Sequence, residues 1–217
     1  MQYTQKYIMG FFALGLFALL LPMQACSQVV QWEEGTHYEI ISDEATAKPE
    51  VKEFFSFWCP ACYRFEPIAK QIENKLAEDV AFDKVHVNFM GGIGPDIQDT
   101  ATKAMMIGRS LDKDEALNAA IFNYIHEQRA IVTSLDDWRK VFVVNGVDGE
   151  EFDKLAKSFS INSLVARNKN ELEANRANVT GVPTFIVNGK YKAIFSRDRS
   201  MTMDDMVNLV VWLSEQD

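Results

Sequence analysis

Hydrophobic and polar positions up to about residue 178 predict a strand, a helix, a second strand and then a long helical block. An apolar, strand-like run covers 54–58. Apolar residues three and four positions apart follow over 62–76, which is the spacing of a helix with one buried face. Apolar and polar residues alternate over 80–89, as they do in a half-buried strand. The glycine-rich stretch 91–95 ends this pattern, and nearly every later segment of the block has helical spacing.

Sheet character returns near the C-terminus. The apolar run 182–187 is separated from Lys190-Tyr191 by Asn188-Gly189, a pair that is the strongest short signal for a hairpin. Thr202 is placed to cap a final helix, whose apolar residues keep helical spacing: Met203, Met206, Val207, Val210 and Val211. The order of elements therefore predicts a small α/β domain with a helical segment inserted in its middle.

The N-terminal segment indicates export. Lys6 precedes an uncharged, strongly apolar stretch over 8–21, which is too short to span a bilayer comfortably and is followed by small residues. We expect residues 1–27 to be a signal peptide cleaved before Gln28, so that Cys26 leaves with it. The alternative is a lipoprotein signal in which Cys26 becomes the lipid-bearing first residue, although Met23 and Gln24 fit that pattern poorly.

Charge and length narrow the class of protein. The net charge of −9 argues against nucleic acid as a partner. The remaining chain is long enough for one sizeable core, or for a core with an inserted subdomain. If the signal peptide is removed as predicted, Cys59 and Cys62 are the two cysteines that remain.

These two cysteines form the motif Cys59-Pro60-Ala61-Cys62, which lies between the strand-like run and the first helix. Proline suits the first turn of a helix, because it has no N–H to lose and its φ angle is already helical. A helix that begins at Pro60 directs unpaired backbone N–H groups and the positive end of its dipole at Cys59, which favours thiolate over thiol. Cys62 lies one turn along, within reach to form or resolve a disulfide. The motif therefore predicts a redox-active dithiol.

A C-x-x-C pair has two other common uses, a zinc site and a structural disulfide. A zinc site requires two further ligands, but Cys26 lies in the predicted signal peptide and the histidines are scattered singly: His37, His86 and His126. A structural disulfide suits an exported protein, but a junction of strand, CPxC and helix is typical of redox motifs. We therefore predict no metal and no other cofactor.

Three separate segments resemble the DsbA family of periplasmic thiol–disulfide oxidoreductases. The first, 53–63, reads EFFSFWCPACY, the second, 86–92, reads HVNFMGG, and the third, 181–191, reads GVPTFIVNGKY. The resemblance extends from about Trp32 to the C-terminus. Because the three motifs are independent of one another, their agreement makes the resemblance specific.

The resemblance implies an α/β thioredoxin fold with an inserted all-helical subdomain. The thioredoxin-like domain would comprise 28–90 and 169–217, and the helical insertion would comprise 91–168. The resemblance also implies an activity. The chain would act as a monomer that donates a disulfide to unfolded exported proteins and is reoxidised by a DsbB-like membrane protein.

Five residues receive roles from the resemblance. Cys59 would be the nucleophile that forms mixed disulfides, and Cys62 would resolve them. Pro183 matches a cis-proline that faces the C-x-x-C motif and leaves the backbone of Val182 free to pair with a substrate strand. Glu53 matches a buried acid that exchanges a proton with Cys62. From pattern alone, Glu53 would instead be a solvated charge at the start of a strand, and the bond before Pro183 would be trans.

Ala61 departs from the best-known form of the family, which has histidine at this position of the motif. A histidine there can stabilise the Cys59 thiolate by charge and by hydrogen bonding, and alanine does neither. Because stabilisation of the thiolate favours the reduced enzyme, we expect a weaker oxidant than a CPHC relative.

Two alternative functions remain open from the sequence. A reductase or isomerase of the same fold would be held reduced in the periplasm, whereas an oxidase would be held oxidised. A non-catalytic peptide-binding or chaperone module would use the aromatic residues around the motif: Trp58, Tyr63 and Phe65. Such a module would keep its function after Cys59→Ser, whereas an oxidase would lose it. His86 is expected to be structural.

Overall fold

The structure is a computed structural model that describes residues 32–196 and 201–216. The predicted signal peptide and Cys26 lie outside the described residues, so both stay predictions. Within the described ranges the chain forms five strands and seven helices. The strands are β1 Tyr38–Ile40, β2 Glu50–Phe55, β3 Ala81–His86, β4 Thr184–Val187 and β5 Tyr191–Ala193. The helices are α1 Pro60–Lys75, α2 Pro95–Ser110, α3 Asp114–His126, α4 Leu135–Val144, α5 Gly149–Ala156, α6 Phe159–Ala174 and α7 Met203–Ser214.

The strands form one mixed sheet in the order β1-β5-β4-β2-β3. β2 pairs parallel with β3 and antiparallel with β4, and the remaining pairs are antiparallel. The predicted hairpin between β4 and β5 is confirmed. Asn188 and Gly189 have φ angles of +52° and +61°, and positive φ at both central residues is what a tight hairpin turn of this type requires.

Helices cover both faces of the sheet. α1 and α7 pack on one face, where their apolar side chains meet Val51 and Phe185. α6 covers the other face through Leu172, which packs with Phe54 and Ile186. Because both faces are covered, β2 buries an apolar residue on each, Val51 on one and Phe54 on the other, and does not show strict alternation.

Five consecutive helices, α2 to α6, lie between β3 and β4. Their buried side chains form a core that also contains Phe57, Cys59 and Cys62. The helical block therefore packs directly against the C-x-x-C segment. The division of the chain at 91–168 stays a prediction, and the end of that range falls within α6.

Two local details differ from the sequence pattern. The strand-like run 54–58 is placed too late in the chain, because β2 spans Glu50–Phe55. A turn begins at Ser56, whose carbonyl accepts a hydrogen bond from the N–H of Cys59 over 3.0 Å. Phe57 stays fully buried outside the sheet, since the helical core covers it. The edge strand β1 was not predicted, because its three residues are too few to show a period.

Candidate active site

The C-x-x-C motif lies at the junction between β2 and α1. Cys59 occupies the N-cap of α1, and Pro60 is the first residue of the helix. The helix therefore begins where the sequence predicts, because proline fixes a helical φ there without losing a hydrogen bond. Cys59 and Cys62 are both reduced in this structure, with exposed fractions of 4% and 0%.

The sulfur of Cys59 lies where a thiolate is stabilised. The backbone N–H of Cys62 donates a hydrogen bond to it over 3.1 Å. The carbonyl oxygen of Val182 lies 3.5 Å from the same sulfur and, because a carbonyl only accepts, pairs with the thiol form and not with the thiolate. A hydrogen bond with the Cys62 side chain contributes most to lowering the pKa of Cys59, which falls to about 7. Backbone N–H groups and the positive charge of Arg64 also lower this pKa, while burial opposes them. Near neutral pH much of Cys59 is thus thiolate, the reactive form.

Cys62 has the opposite character. Burial raises the pKa of its thiol above the ordinary range, and the hydrogen bond to Cys59 and the negative charge of Glu53 raise it further. Cys62 therefore stays protonated at neutral pH and donates to the sulfur of Cys59. Two thiols with the same intrinsic chemistry are separated into a thiolate and a thiol by their surroundings.

Glu53 lies on β2 with an exposed fraction of 0%, so the solvated-charge alternative is wrong. It faces Lys84 in the parallel pairing of β2 with β3, and the Lys84 ammonium lies 2.9 Å from a Glu53 carboxylate oxygen. The same ammonium lies 2.6 Å from a carboxylate oxygen of Glu66, one turn beyond Cys62 on α1. Two carboxylates thus share one cation below the dithiol.

The charges of this cluster influence one another strongly. Burial by itself lowers the pKa of Lys84, but the two carboxylates outweigh it and hold this pKa above its usual range. Burial raises the pKa of Glu66, and the charge of Glu53 adds to that effect while Lys84 opposes it. Sequence reasoning identified Glu53 but missed Lys84 and Glu66.

Val182 and Pro183 lie in the loop before β4 and border the redox pair. The bond between them is cis, the isomer that the family resemblance implies. The contact between the Val182 carbonyl and the sulfur of Cys59 places this loop directly beside the reactive thiol.

His86 lies in the core behind the motif and has an exposed fraction of 1%. Its Nδ1 atom is 2.8 Å from the hydroxyl oxygen of Thr102. Burial lowers the pKa of His86 to about 3, so the ring is neutral at physiological pH. These contacts agree with the structural role expected for it.

No group of three or more histidine, cysteine, aspartate or glutamate side chains within 32–196 and 201–216 is arranged to hold a metal ion.

A helix-start dithiol whose two sulfurs differ this strongly in acidity defines the chain as a thiol–disulfide oxidoreductase. Residues 50–208 match the family model of the DSBA-like thioredoxin domain. The chain belongs to the DsbA family, and the predicted thioredoxin fold with a helical insertion is confirmed.

Individual relatives agree with this family. The thiol:disulfide interchange protein DsbA of Shigella flexneri is 36% identical over 211 residues, which cover 94% of this chain and 97% of the relative. The protein of the same name from Haemophilus influenzae is 36% identical over 198 residues, covering 90% and 91%. The crystal structure of the disulfide oxidoreductase DsbA from Proteus mirabilis superposes with a TM-score of 0.74 at 29% identity, covering 86% of this chain and 98% of the other.

Proposed function

We propose that this enzyme is a disulfide donor, in which Cys59 and Cys62 form the disulfide that is passed to exported proteins. The observation that carries the proposal is the 3.1 Å hydrogen bond from the N–H of Cys62 to the sulfur of Cys59. It stabilises a negative charge that exists in the reduced enzyme and is absent from the oxidised one. A disulfide whose reduced form is stabilised accepts electrons more readily, which favours donation of the disulfide.

The reaction transfers two electrons from the substrate to the enzyme in two exchanges. A substrate thiolate attacks the sulfur of Cys59, the bond to Cys62 breaks, and Cys62 leaves as a thiolate that takes up a proton. A second substrate thiolate then attacks the substrate sulfur of the mixed disulfide, and Cys59 leaves as a thiolate. The substrate has gained a disulfide and the enzyme is a dithiol. A lowered pKa makes Cys59 a good leaving group in the second exchange.

We assign to Glu53 the role of exchanging a proton with Cys62, which takes one up when the disulfide opens and gives it up when the disulfide re-forms. The negative charge of Glu53 is among the causes that raise the pKa of Cys62, so the two side chains interact. Lys84 and Glu66 continue from Glu53 to a groove of about 1250 Å³ between α1, α3 and α4, which both of them line. This row of charged groups offers a proton route between the buried thiol and solvent.

The loop that carries Val182 and Pro183 is assigned to substrate binding. The Val182 carbonyl lies 3.5 Å from the sulfur of Cys59, so an extended peptide along this loop would bring its own cysteine to the reactive sulfur. A Proteus mirabilis DsbA, 28% identical to this chain with a TM-score of 0.72, has been solved with a non-covalently bound peptide, PWATCDS. A bound peptide in a relative supports unfolded polypeptides as substrates here.

We further propose that the enzyme acts as a periplasmic monomer and is reoxidised by a DsbB-like membrane protein. None of the described helices is long and apolar enough to cross a membrane. The intact mass of the exported protein tests the processing step, since a chain that begins at Gln28 supports signal cleavage. A diacylglyceryl adduct on Cys26 would establish lipid anchoring instead.

Disulfide donation is tested with a reduced, unfolded protein that contains two cysteines. The oxidised enzyme should form one disulfide in that protein for each enzyme disulfide lost, and Cys59→Ser should form none. Thiol trapping on cells should find the pair mainly oxidised. A mainly reduced pair would favour the reductase or isomerase, and full function in Cys59→Ser would favour the peptide-binding module.

A further inference from the structure

We propose that His126, at the C-terminal end of α3, is a positioning residue that fixes the chain on both sides of the C-x-x-C motif. Its Nε2 atom lies 2.8 Å from the main-chain carbonyl oxygen of Phe57, two residues before Cys59. Its ring stacks on Tyr63, the residue after Cys62, with the ring centres 5.0 Å apart and the planes 3° from parallel. The inference rests on the proposed role of Cys59 as the nucleophile.

The contact with Phe57 is a hydrogen bond of defined direction. A carbonyl oxygen only accepts, so Nε2 of His126 carries the proton and donates it. Phe57 has an exposed fraction of 0% and lies beyond the end of β2, where strand pairing no longer holds its carbonyl. A buried carbonyl needs a partner, and the helical block supplies it from α3.

The contact with Tyr63 is reinforced by neighbours on α3. Phe122, one turn before His126, stacks on the same Tyr63 ring with the ring centres 5.6 Å apart. A hydrogen bond to Glu127, the residue after His126, raises the pKa of Tyr63. Three residues at the end of α3 thus hold Tyr63 in place. Because Tyr63 belongs to the start of α1, these contacts also fix the first turn of that helix.

Fixing both flanks of the motif holds the geometry on which the thiolate depends. The sulfur of Cys59 must stay over the N–H of Cys62 to keep their 3.1 Å hydrogen bond. If the Phe57 carbonyl is released, the segment that leads into the N-cap can shift and this contact weakens. The charged form of Cys59 then loses stabilisation that the disulfide never had, so the reduced enzyme becomes less favoured.

The test compares two variants of His126, one that keeps the ring stacking on Tyr63 and one that keeps the hydrogen bond to Phe57. His126→Phe keeps an aromatic ring but cannot donate, and we expect its equilibrium constant with glutathione to shift about threefold toward the disulfide, or ~14 mV. The thiolate absorbance of Cys59 should titrate about half a pH unit higher. His126→Gln can still donate to Phe57 and should recover most of both changes. The control is His37→Phe, because His37 accepts a hydrogen bond from the N–H of Glu33. This variant should change neither the glutathione equilibrium nor the thiolate titration.

A purely structural histidine gives a different result. His126→Phe would then lower the free energy of unfolding of the oxidised and reduced forms equally, leaving the glutathione equilibrium unchanged, and the inference would be overturned. If His126→Phe does not fold, His126→Leu makes the same test, since it also lacks the donor. Failure of the proposed function looks different again, because the parent protein would then form no disulfide in a reduced, unfolded protein with two cysteines.

Discussion

The Lys84 ammonium lies 2.9 Å from a carboxylate oxygen of Glu53, and the two residues face each other across the parallel strands β2 and β3. The buried acid therefore has a counter-charge inside the protein. Because Glu66 shares that counter-charge at 2.6 Å, the cluster holds two negative groups and one positive group. Removing different members of the cluster should therefore change stability in opposite directions.

Glu53→Gln removes a fully buried charge and leaves Lys84 and Glu66 as a one-to-one pair. We expect the free energy of unfolding to stay the same or to rise by up to about 1 kcal/mol. Oxidation of the dithiol should slow by about 100-fold, because the variant lacks the carboxylate that we propose exchanges a proton with Cys62. Urea unfolding and rapid-mixing kinetics check the two parts. Normal kinetics in a folded variant would remove Glu53 from the mechanism.

Lys84→Met leaves two carboxylates without a buried counter-charge. We expect the free energy of unfolding to fall by about 3 kcal/mol at neutral pH. The loss should shrink in acid as Glu66, whose pKa burial raises, takes up a proton. Lys70→Met is the matched control, since Lys70 pairs with Glu73 and Glu115 at the surface and should cost less than about 1 kcal/mol. Equal losses for the two variants, measured in urea, would contradict the buried cluster.

Ala61→His places a hydrogen-bond donor beside the sulfur of Cys59. The thiolate gains stabilisation and the disulfide does not, so the pKa of Cys59 should fall and the reduction potential should rise by about 30 mV per pKa unit. Ala77→His, an exposed change beyond the other end of α1, should alter neither quantity. A lower pKa with an unchanged glutathione equilibrium would mean that the stability of the thiolate does not determine the oxidising power of this enzyme.

The lowered pKa of Cys59 also makes the stability of the reduced protein depend on pH. Folded Cys59 loses its proton near pH 7, whereas an unfolded thiol keeps it to about pH 8.5. Between these values the unfolded chain binds more protons, so the reduced protein gains stability as pH rises, by about 2 kcal/mol in total. Above this window the trend reverses, because burial raises the pKa of Cys62 and the folded protein keeps that proton.

The oxidised protein is the control for this pH dependence, since it has neither thiol. The free energy of unfolding of the reduced form minus that of the oxidised form should therefore rise from pH 6 to about 8.5 and fall beyond it. A difference that does not change with pH would mean that Cys59 has an ordinary thiol pKa in the folded protein.

Local patterns were enough to predict much of the fold. The start of α1 at Pro60, the Asn188-Gly189 turn and the capping of α7 by Thr202 each depend on residues a few positions apart. The end of β2 was misplaced, because apolar Phe57 is buried by helices that lie much later in the chain.

The candidate site required information that local patterns do not contain. Glu53 meets Lys84 only through the register of two strands, and nothing near either residue fixes that register. His126 and Phe57 are 69 positions apart, and their contact depends on how the helical block packs. The burial of Glu53 came from the family resemblance, since an isolated acid in a strand is usually solvated.

The central claim is that Cys59 is a stabilised thiolate, and the ultraviolet absorbance of the reduced protein measures it directly. Titration from pH 4 to 10 should show one thiolate forming near pH 7, and Cys59→Ser should abolish that step while Cys62→Ser retains a thiolate. An absorbance rise that begins only at the ordinary thiol value of about 8.5, or one that survives Cys59→Ser, would contradict the account.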